Sequence, residues 1–522
     1  MPKERSDYLF LLIKSLSKGE KRYFKLQIAK QAASAKIIRL FDLIDKQSTF
    51  DDEVILQQAP EIKSEQLSNL KAHLYERILH SLRLFHLSNS IDIQIREYID
   101  YARILFDRSL YKQCLKVLKK AKKLAVKNDN LEQMLEILKW EKQVVAQGID
   151  TDNQEKVNAI IGEVKDVNNR INNINLLSNI QVKLNNWYIK TGFIRKAHDY
   201  KEVREFINKN LPEFNEDDLT FNEKLNLFSV YVSYYLFVHD FHDAYHFARK
   251  WVQLFDKSSE FIPIKTEMYI RGINKLMLTQ SRLQKYHEFV ASGNKLKAIY
   301  KIPGITFNEN IRLMLFKYTT IYDINRHFLT GDFSGGISLI TQIEHGLDQF
   351  VDKLGKHSAI TFYYKFACMY IGDSNYRMSA YWLQKIINEQ NVDLREDIHC
   401  FARILNLINH YEMGNADIVD YYIKSTYRFL LKKDDLGNYQ KYILNFLRNL
   451  NKGTTEGELI ARFKQLRSQL LTLVDPYEKR AFIYFDIISW LESKIYKRTV
   501  QEVIQEKALR VIEREKAVKL PA

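Results

Sequence analysis

Proline, glycine and cysteine are scarce in this chain, and each scarcity excludes something. Seven prolines and 17 glycines occur among 522 residues, with no proline between Pro60 and Pro212 or between Pro303 and Pro476. Proline breaks a helix by removing an amide donor and clashing with the preceding turn, and glycine weakens one through backbone entropy. Such long proline-free stretches predict a mostly helical chain. Asn-Gly and Asp-Gly turns between alternating apolar runs, the signal of β-hairpins, find almost no match, so strands lack support. The three cysteines, Cys114, Cys368 and Cys400, lie far apart without a CxxC pair. That argues against a disulfide framework or a structural zinc site and fits a reducing compartment. No stretch approaches the roughly 18 uncharged apolar residues that read as a membrane span. The apolar run Tyr8–Ile13 is shorter than a secretory leader's core of about 7–15 residues. A cytoplasmic protein is the expectation.

What the chain does have is apolar content, aromatic rings and positive charge. Hydrophobic residues make up 46% and aromatics 13%, enough to bury a large core. The formal net charge is +15, which favours acidic partners: nucleic acid, an anionic membrane surface or an acidic protein. Lysine-rich helical proteins also carry such a surplus simply as solvated surface.

The charge is unevenly spread. Between Lys14 and Arg39 stand eight basic residues and one acid. In this region "SKGE" (17–20) has the spacing of a capping box. A long run, 64–87, repeats Leu67, Leu70, Leu74, Ile78, Leu82 and Phe85 at helical spacing. Residues 1–90 are thus expected to form a basic helical module, which keeps nucleic acid as an alternative partner. The segment "SLYKQCLKVLKKAKKLAVK" (109–127) holds seven lysines and no acid. On a helix Tyr111, Cys114, Leu115, Leu118, Ala121 and Leu124 make one apolar stripe. Lys112, Lys116, Lys119, Lys123 and Lys127 make the opposite, solvated one.

From about residue 91 the texture becomes helix, tight turn, helix. "YARILFDRSLYKQCLKVLKKAKKLA" resembles the tetratricopeptide (TPR) repeat, a 34-residue helical hairpin. Ala102 matches its small residue in the first helix, and Ser109 and Tyr111 match its turn. Cys114, Leu118 and Ala121 match the small and large alternation of the second helix; Tyr98 departs from the motif's tryptophan. Further echoes carry Tyr188, Gly192 and Ala197, then Tyr235 and Ala244, then Gly331, Phe333 and Gly336, with Gly372 and Gly414 expected at later turns. The resemblance implies an all-α, right-handed α-solenoid of TPR-like hairpins over 91–450, preceded by the N-terminal module and followed by a C-terminal helical cap, 451–522. In the cap, "DPYE" (475–478) and "TVQE" (499–502) read as helix starts. Val503, Ile504, Val511 and Ile512 share one face of the last helix. The layout also resembles a group of uncharacterised bacterial proteins through "EKRYFKL" and "HYEMGN…STYRFL…WLESK", a resemblance that brings no activity with it.

Catalytic signatures are missing. There is no Walker sequence, GxSxG, HExxH or kinase-like set, and "GDFSGG" (331–336) lacks both the spacing and the lysine of a phosphate loop. A non-catalytic protein without cofactor is expected. The only metal-like spacing is "HDFHDAYH", where His242 and His246 share a helix face near His239; partly exposed turn residues are the reading preferred to zinc. Asp51 and Asp52 suit a helix N-terminus through its dipole. Recognition remains. The first helix of each TPR hairpin lines the groove, and the resemblance places Arg96, Arg103, Asn186, Lys190 and Asn325 there, facing a protein or peptide of acidic character.

Overall fold

The computed structural model describes residues 8–29, 34–86, 90–147, 154–194, 197–389, 394–433, 435–450, 455–473 and 485–519. Among them are 24 α-helices and no strand. The expected helix start at 475–478 lies outside the described residues. The chain divides into two compact units, Met1–Ile171 and Asn172–Ala522.

The first unit begins with α1 (Tyr8–Ser15), α2 (Lys18–Ala29), α3 (Ser34–Lys46), α4 (Asp52–Gln58) and α5 (Ser64–Phe85). These bury one core of their own, built on Ile13, Phe24, Leu40, Phe41, Ile44, Leu74 and Ile78. The expected capping box opens α2: the Ser17 amide donates to Glu20 Oε2 at 2.7 Å, and the Glu20 amide donates to Ser17 Oγ at 3.3 Å. Asp51 caps α4 by accepting from the Glu53 amide, and Asp52 accepts from Lys71 at 2.7 Å, so both carboxylates do structural work. A second core joins α6 (Ile91–Asp107), α7 (Tyr111–Lys127), α8 (Leu131–Val145) and the start of α9 (Gln154–Thr191). Here Cys114, Leu118, Ala121 and Ala125 of α7 are buried, and Lys112, Lys116, Lys119, Lys123 and Lys127 are exposed. Lys122 instead bridges Glu141 and Glu163 at 2.8 and 2.6 Å.

The second unit continues from the end of α9 with α10 (Ala197–Asn210), α11 (Phe221–Phe237), α12 (Phe241–Lys257), α13 (Thr266–Arg282), α14 (Tyr286–Ala298), α15 (Glu309–Thr330) and α16 (Phe333–Leu354). It goes on with α17 (Lys356–Gly372), α18 (Tyr376–Ile387), α19 (Glu396–Glu412), α20 (Ala416–Lys432), α21 (Asn438–Arg448), α22 (Glu456–Leu471), α23 (Ile487–Tyr496) and α24 (Val500–Lys519). Consecutive helices pack in pairs, α11 on α12, α13 on α14, α15 on α16, α17 on α18 and α19 on α20.

One turn recurs in both units. A residue in the left-handed region, with φ between 49° and 72°, stands at Ser109, Asp129, His239, Gln284, Gly331, Ser374 and Gly414. Each time the next helix starts two residues later. The intervening amide, of Leu110, Asn130, Asp240, Lys285, Asp332, Asn375 or Asn415, donates to the carbonyl five residues back, at 2.8–3.1 Å. This six-to-one bond satisfies a carbonyl that the ending helix leaves open. Asn130, Asp240, Asp332 and Asn375 also cap the following helix by accepting a side-chain hydrogen bond from its first turn. The repeat is thus regular in backbone geometry even where its residues differ.

Gly372, expected at a turn, is the last residue of α17, and Ser374 takes the left-handed position. A Cβ on Gly372 would stand 2.3 Å from the Phe333 ring, and one on Gly336 would stand 2.4 Å from Met369 Sδ. These glycines let α16 and α17 approach closely; they do not make the turn.

Candidate functional site

Within the second unit the first helices of successive hairpins turn one face each toward a common cavity of about 1090 Å³. From α13 come Arg271, Asn274, Lys275, Leu278 and Arg282, spaced three and four apart. From α15 come Lys317, Tyr318, Ile321, Tyr322 and Asn325, and from α17 His357, Thr361, Tyr364, Lys365 and Cys368. Residues three and four apart on a helix share a face, which is why each helix offers a stripe. The end of α9 adds Asn185, Tyr188 and Ile189, and Arg395 stands before α19.

The last helix closes part of this space. Besides α23, α24 packs against α14, α15 and α17, and its Ile504, Ala508, Val511 and Ile512 line the cavity. Its first turn has the expected box, with Thr499 and Glu502 exchanging hydrogen bonds at 2.8 and 3.1 Å. Gln501 Oε1 then accepts from the Phe333 and Ser334 amides at 3.1 and 3.3 Å, satisfying open donors at the start of α16. Gln505 donates to the Gly331 carbonyl at 3.2 Å, and Glu515 accepts from the His287 amide at 3.1 Å.

The electrostatics of the lining are one-sided. Seven lysines and arginines face two carboxylates, Glu267 and Asp486. Arg395 is held by Asp397 through two hydrogen bonds, at 2.8 and 2.7 Å, and Lys507 pairs with Glu492 at 2.7 Å. Arg271, Lys275, Lys317 and Lys365 have no carboxylate within ion-pair distance among the described residues. Lys317 donates to Ser358 Oγ at 2.7 Å and Lys365 to Asn325 Oδ1 at 2.6 Å. The Tyr188 ring carries two cations, with Lys275 Nζ 6.0 Å and Arg395 Cζ 5.3 Å from its centre.

These surroundings oppose positive charge. Burial, then repulsion by Arg271 and Lys317, pushes Lys275 down to about 8. Burial, then Arg282, does the same to Lys365, also to about 8. Lys317 is lowered by burial and by Arg271. Burial, with Arg395 and Lys317 behind it, pushes His357 down to about 3, so its ring is neutral at pH 7, and its Nδ1 has no hydrogen-bond partner. Cys368 is pushed up to about 12 by burial and stays a thiol.

Of the groove residues expected from sequence, Asn325 lines this cavity. Asn186 and Lys190 are exposed on α9, where Asn185, Tyr188 and Ile189 face the cavity instead. Arg96 and Arg103 are exposed on α6, in the first unit. His242 and His246 are exposed on α12, and His239 sits in the left-handed turn against Phe193. Among the described residues no three His, Cys, Asp or Glu side chains converge as metal ligands. In the N-terminal module Lys21 and Lys25 are tied to Asp45 and Asp42 at 2.5 Å, so part of that basic strip is spent within the fold. No described helix is long and apolar enough to cross a membrane. Compared with known proteins, the sequence matches no family model and no curated relative.

The cavity cations escaped the sequence reading. A usable signal was there in "LFKYTT" and "YYKFAC", single lysines inside apolar and aromatic runs on two helices that play the same role.

Proposed function

We propose that the chain is a non-catalytic binding protein of TPR type, a cytoplasmic adaptor or scaffold whose second unit takes an acidic peptide in this cavity. On this proposal the hairpins wind into a right-handed superhelix, the N-terminal module stands at its start, and the final helices cap it. The observation that carries it is the set of four cations, Arg271, Lys275, Lys317 and Lys365, that meet no carboxylate among the described residues, on a cavity wall where seven lysines and arginines face two carboxylates. Half-buried lysine charge without a counter-charge is costly, and an acidic ligand supplies what the wall lacks, with the exposed Arg271 beside it. The amides of Asn185, Asn274 and Asn325 suit a peptide backbone because each both donates and accepts.

Titration of the full chain with fluorescently labelled short peptide pools, one rich in Asp and Glu and one neutral, tests this. The acidic pool should bind at pH 7. Its binding should weaken as pH rises through about 8, where Lys275 and Lys365 lose their charge. It should weaken again with salt, as the screening length falls from about 10 Å at 0.1 M to about 3 Å at 1 M. Equal binding of the neutral pool would reject the proposal.

A further inference from the structure

We infer that the corner of the cavity built by Arg271, Lys275 and Lys317 receives a phosphoryl group, so that the preferred peptide is a phosphorylated one. The inference rests on the peptide-binding proposal and narrows it.

The corner is defined by position on the helices. Arg271 and Lys275 stand one turn apart on the same face of α13, and Lys317 reaches in from α15. Lys317 is fixed at the start of α17 by Ser358. Lys365 lies seven residues beyond Ser358 on α17, about 10 Å along the helix, and Arg282 lies seven residues beyond Lys275 on α13, so these two belong to the other end of the cavity. Three cations thus stand together, and they repel one another: Arg271 acts on both lysines, and Lys317 on Lys275.

Charge and donor number select the ligand. One carboxylate brings a single negative charge and leaves most of the corner's charge unbalanced. A phosphoryl group brings about −1.5 to −2 at pH 7 and three acceptor oxygens. The donors match. An ammonium has three N–H groups, and Lys317 commits one to Ser358, leaving two. The Arg271 guanidinium adds a planar fork suited to phosphate oxygens. Inorganic phosphate alone fills little of a 1090 Å³ cavity whose walls continue through Leu278, Ile321, Val511 and Ile512. Those apolar walls call for a ligand with a body as well as an anion.

The test uses the full chain and three labelled peptide pools that differ at one central position, phosphoserine, serine or glutamate. A fluorescently labelled nucleoside monophosphate is titrated as a fourth probe, and unlabelled inorganic pyrophosphate competes against whichever probe binds. The phosphoserine pool should bind about tenfold tighter than the serine pool, and tighter than the glutamate pool. The paired change Lys275→Met with Lys317→Met should bring the phosphoserine-to-serine ratio close to one. Lys275→Arg with Lys317→Arg should keep the preference, and Lys365→Met, at the far end, should leave the ratio unchanged while lowering affinity for every pool. Circular dichroism of each variant separates lost recognition from lost folding. Equal binding of the three pools to the wild-type chain would overturn the phosphoryl site and leave the peptide proposal standing. Binding of the nucleoside monophosphate with no peptide pool bound, and lost in the Met pair, would keep the phosphoryl corner and overturn the peptide as its source. No binding of any probe would overturn both.

Discussion

Replacing Lys275 and Lys317 with methionine is expected to make the free protein more stable while removing its affinity for acidic ligands. Each replacement keeps the aliphatic stem that packs on the cavity wall and deletes only the ammonium. Lys275 holds its proton to about 8 in the folded chain, against an ordinary lysine value of 10.5. The unfolded chain therefore binds the proton more tightly, and the folded state is penalised at every pH below about 8. The gain at pH 7 should be about 1–3 kcal/mol, reduced from the full linkage value because the side chain is only half-buried and cavity water screens it. Between pH 8 and about 10 the wild-type folded chain releases its proton before the unfolded one does, so the stability gap between variant and wild type should close over that window. Chemical denaturation at pH 7, 8.5 and 10 measures this. A Met pair less stable than wild type at pH 7 would mean that the two ammonium groups support the fold and do not wait for a ligand.

Arg395→Met is expected to lower the stability of the second unit by about 3–5 kcal/mol and to weaken ligand binding with it. The guanidinium grips Asp397, which is 0% exposed, and its loss takes the bidentate cation from that buried carboxylate. The backbone amide of Arg395 also donates to the Ile189 carbonyl at 3.1 Å, and its side chain lies on Tyr188, so this joint holds the end of α9 at the cavity wall. Gly192 allows the close approach: a Cβ there would stand 2.0 Å from Asp397 Cγ. Pairing Arg395→Met with Asp397→Leu should recover much of the stability, because an apolar pair of similar volume replaces a buried ion pair at little cost. Urea unfolding of the single and double variants separates the loss of the buried counter-charge from lost packing.

The helical texture was legible because burial writes itself into spacing. The stripe Cys114, Leu118 and Ala121 and its opposing lysines stand where the 3.6-residue period puts them, and the boxes Ser17–Glu20 and Thr499–Glu502 mark real helix starts. The turns were only partly legible. Glycine advertises a left-handed residue at Gly331 and Gly414, but Asp129, His239, Gln284 and Ser374 adopt the same conformation without it. There the six-to-one hydrogen bond and the next helix's cap hold a backbone that the side chain alone disfavours. The site was legible least. Asn325 of α15 lines the cavity, whereas on α9 it is Asn185 and not its neighbour Asn186 that does so, a displacement of one residue that moves the side chain about 100° around the helix. The cavity's charge stayed hidden because Lys275, Lys317 and Lys365 are far apart in sequence and look like ordinary core interruptions until three hairpins align them.

Hydrogen–deuterium exchange of the full chain with and without the acidic peptide pool tests the central claim most directly. Peptide held in the second unit's cavity predicts slowed exchange in α13, α15 and α17, together with the part of α24 that carries Ile504 to Ile512, and no change in α2, α3 or α6. Protection confined to α6, around Arg96 and Arg103, or to the basic strip of α2 and α3, would place recognition in the first unit and contradict it.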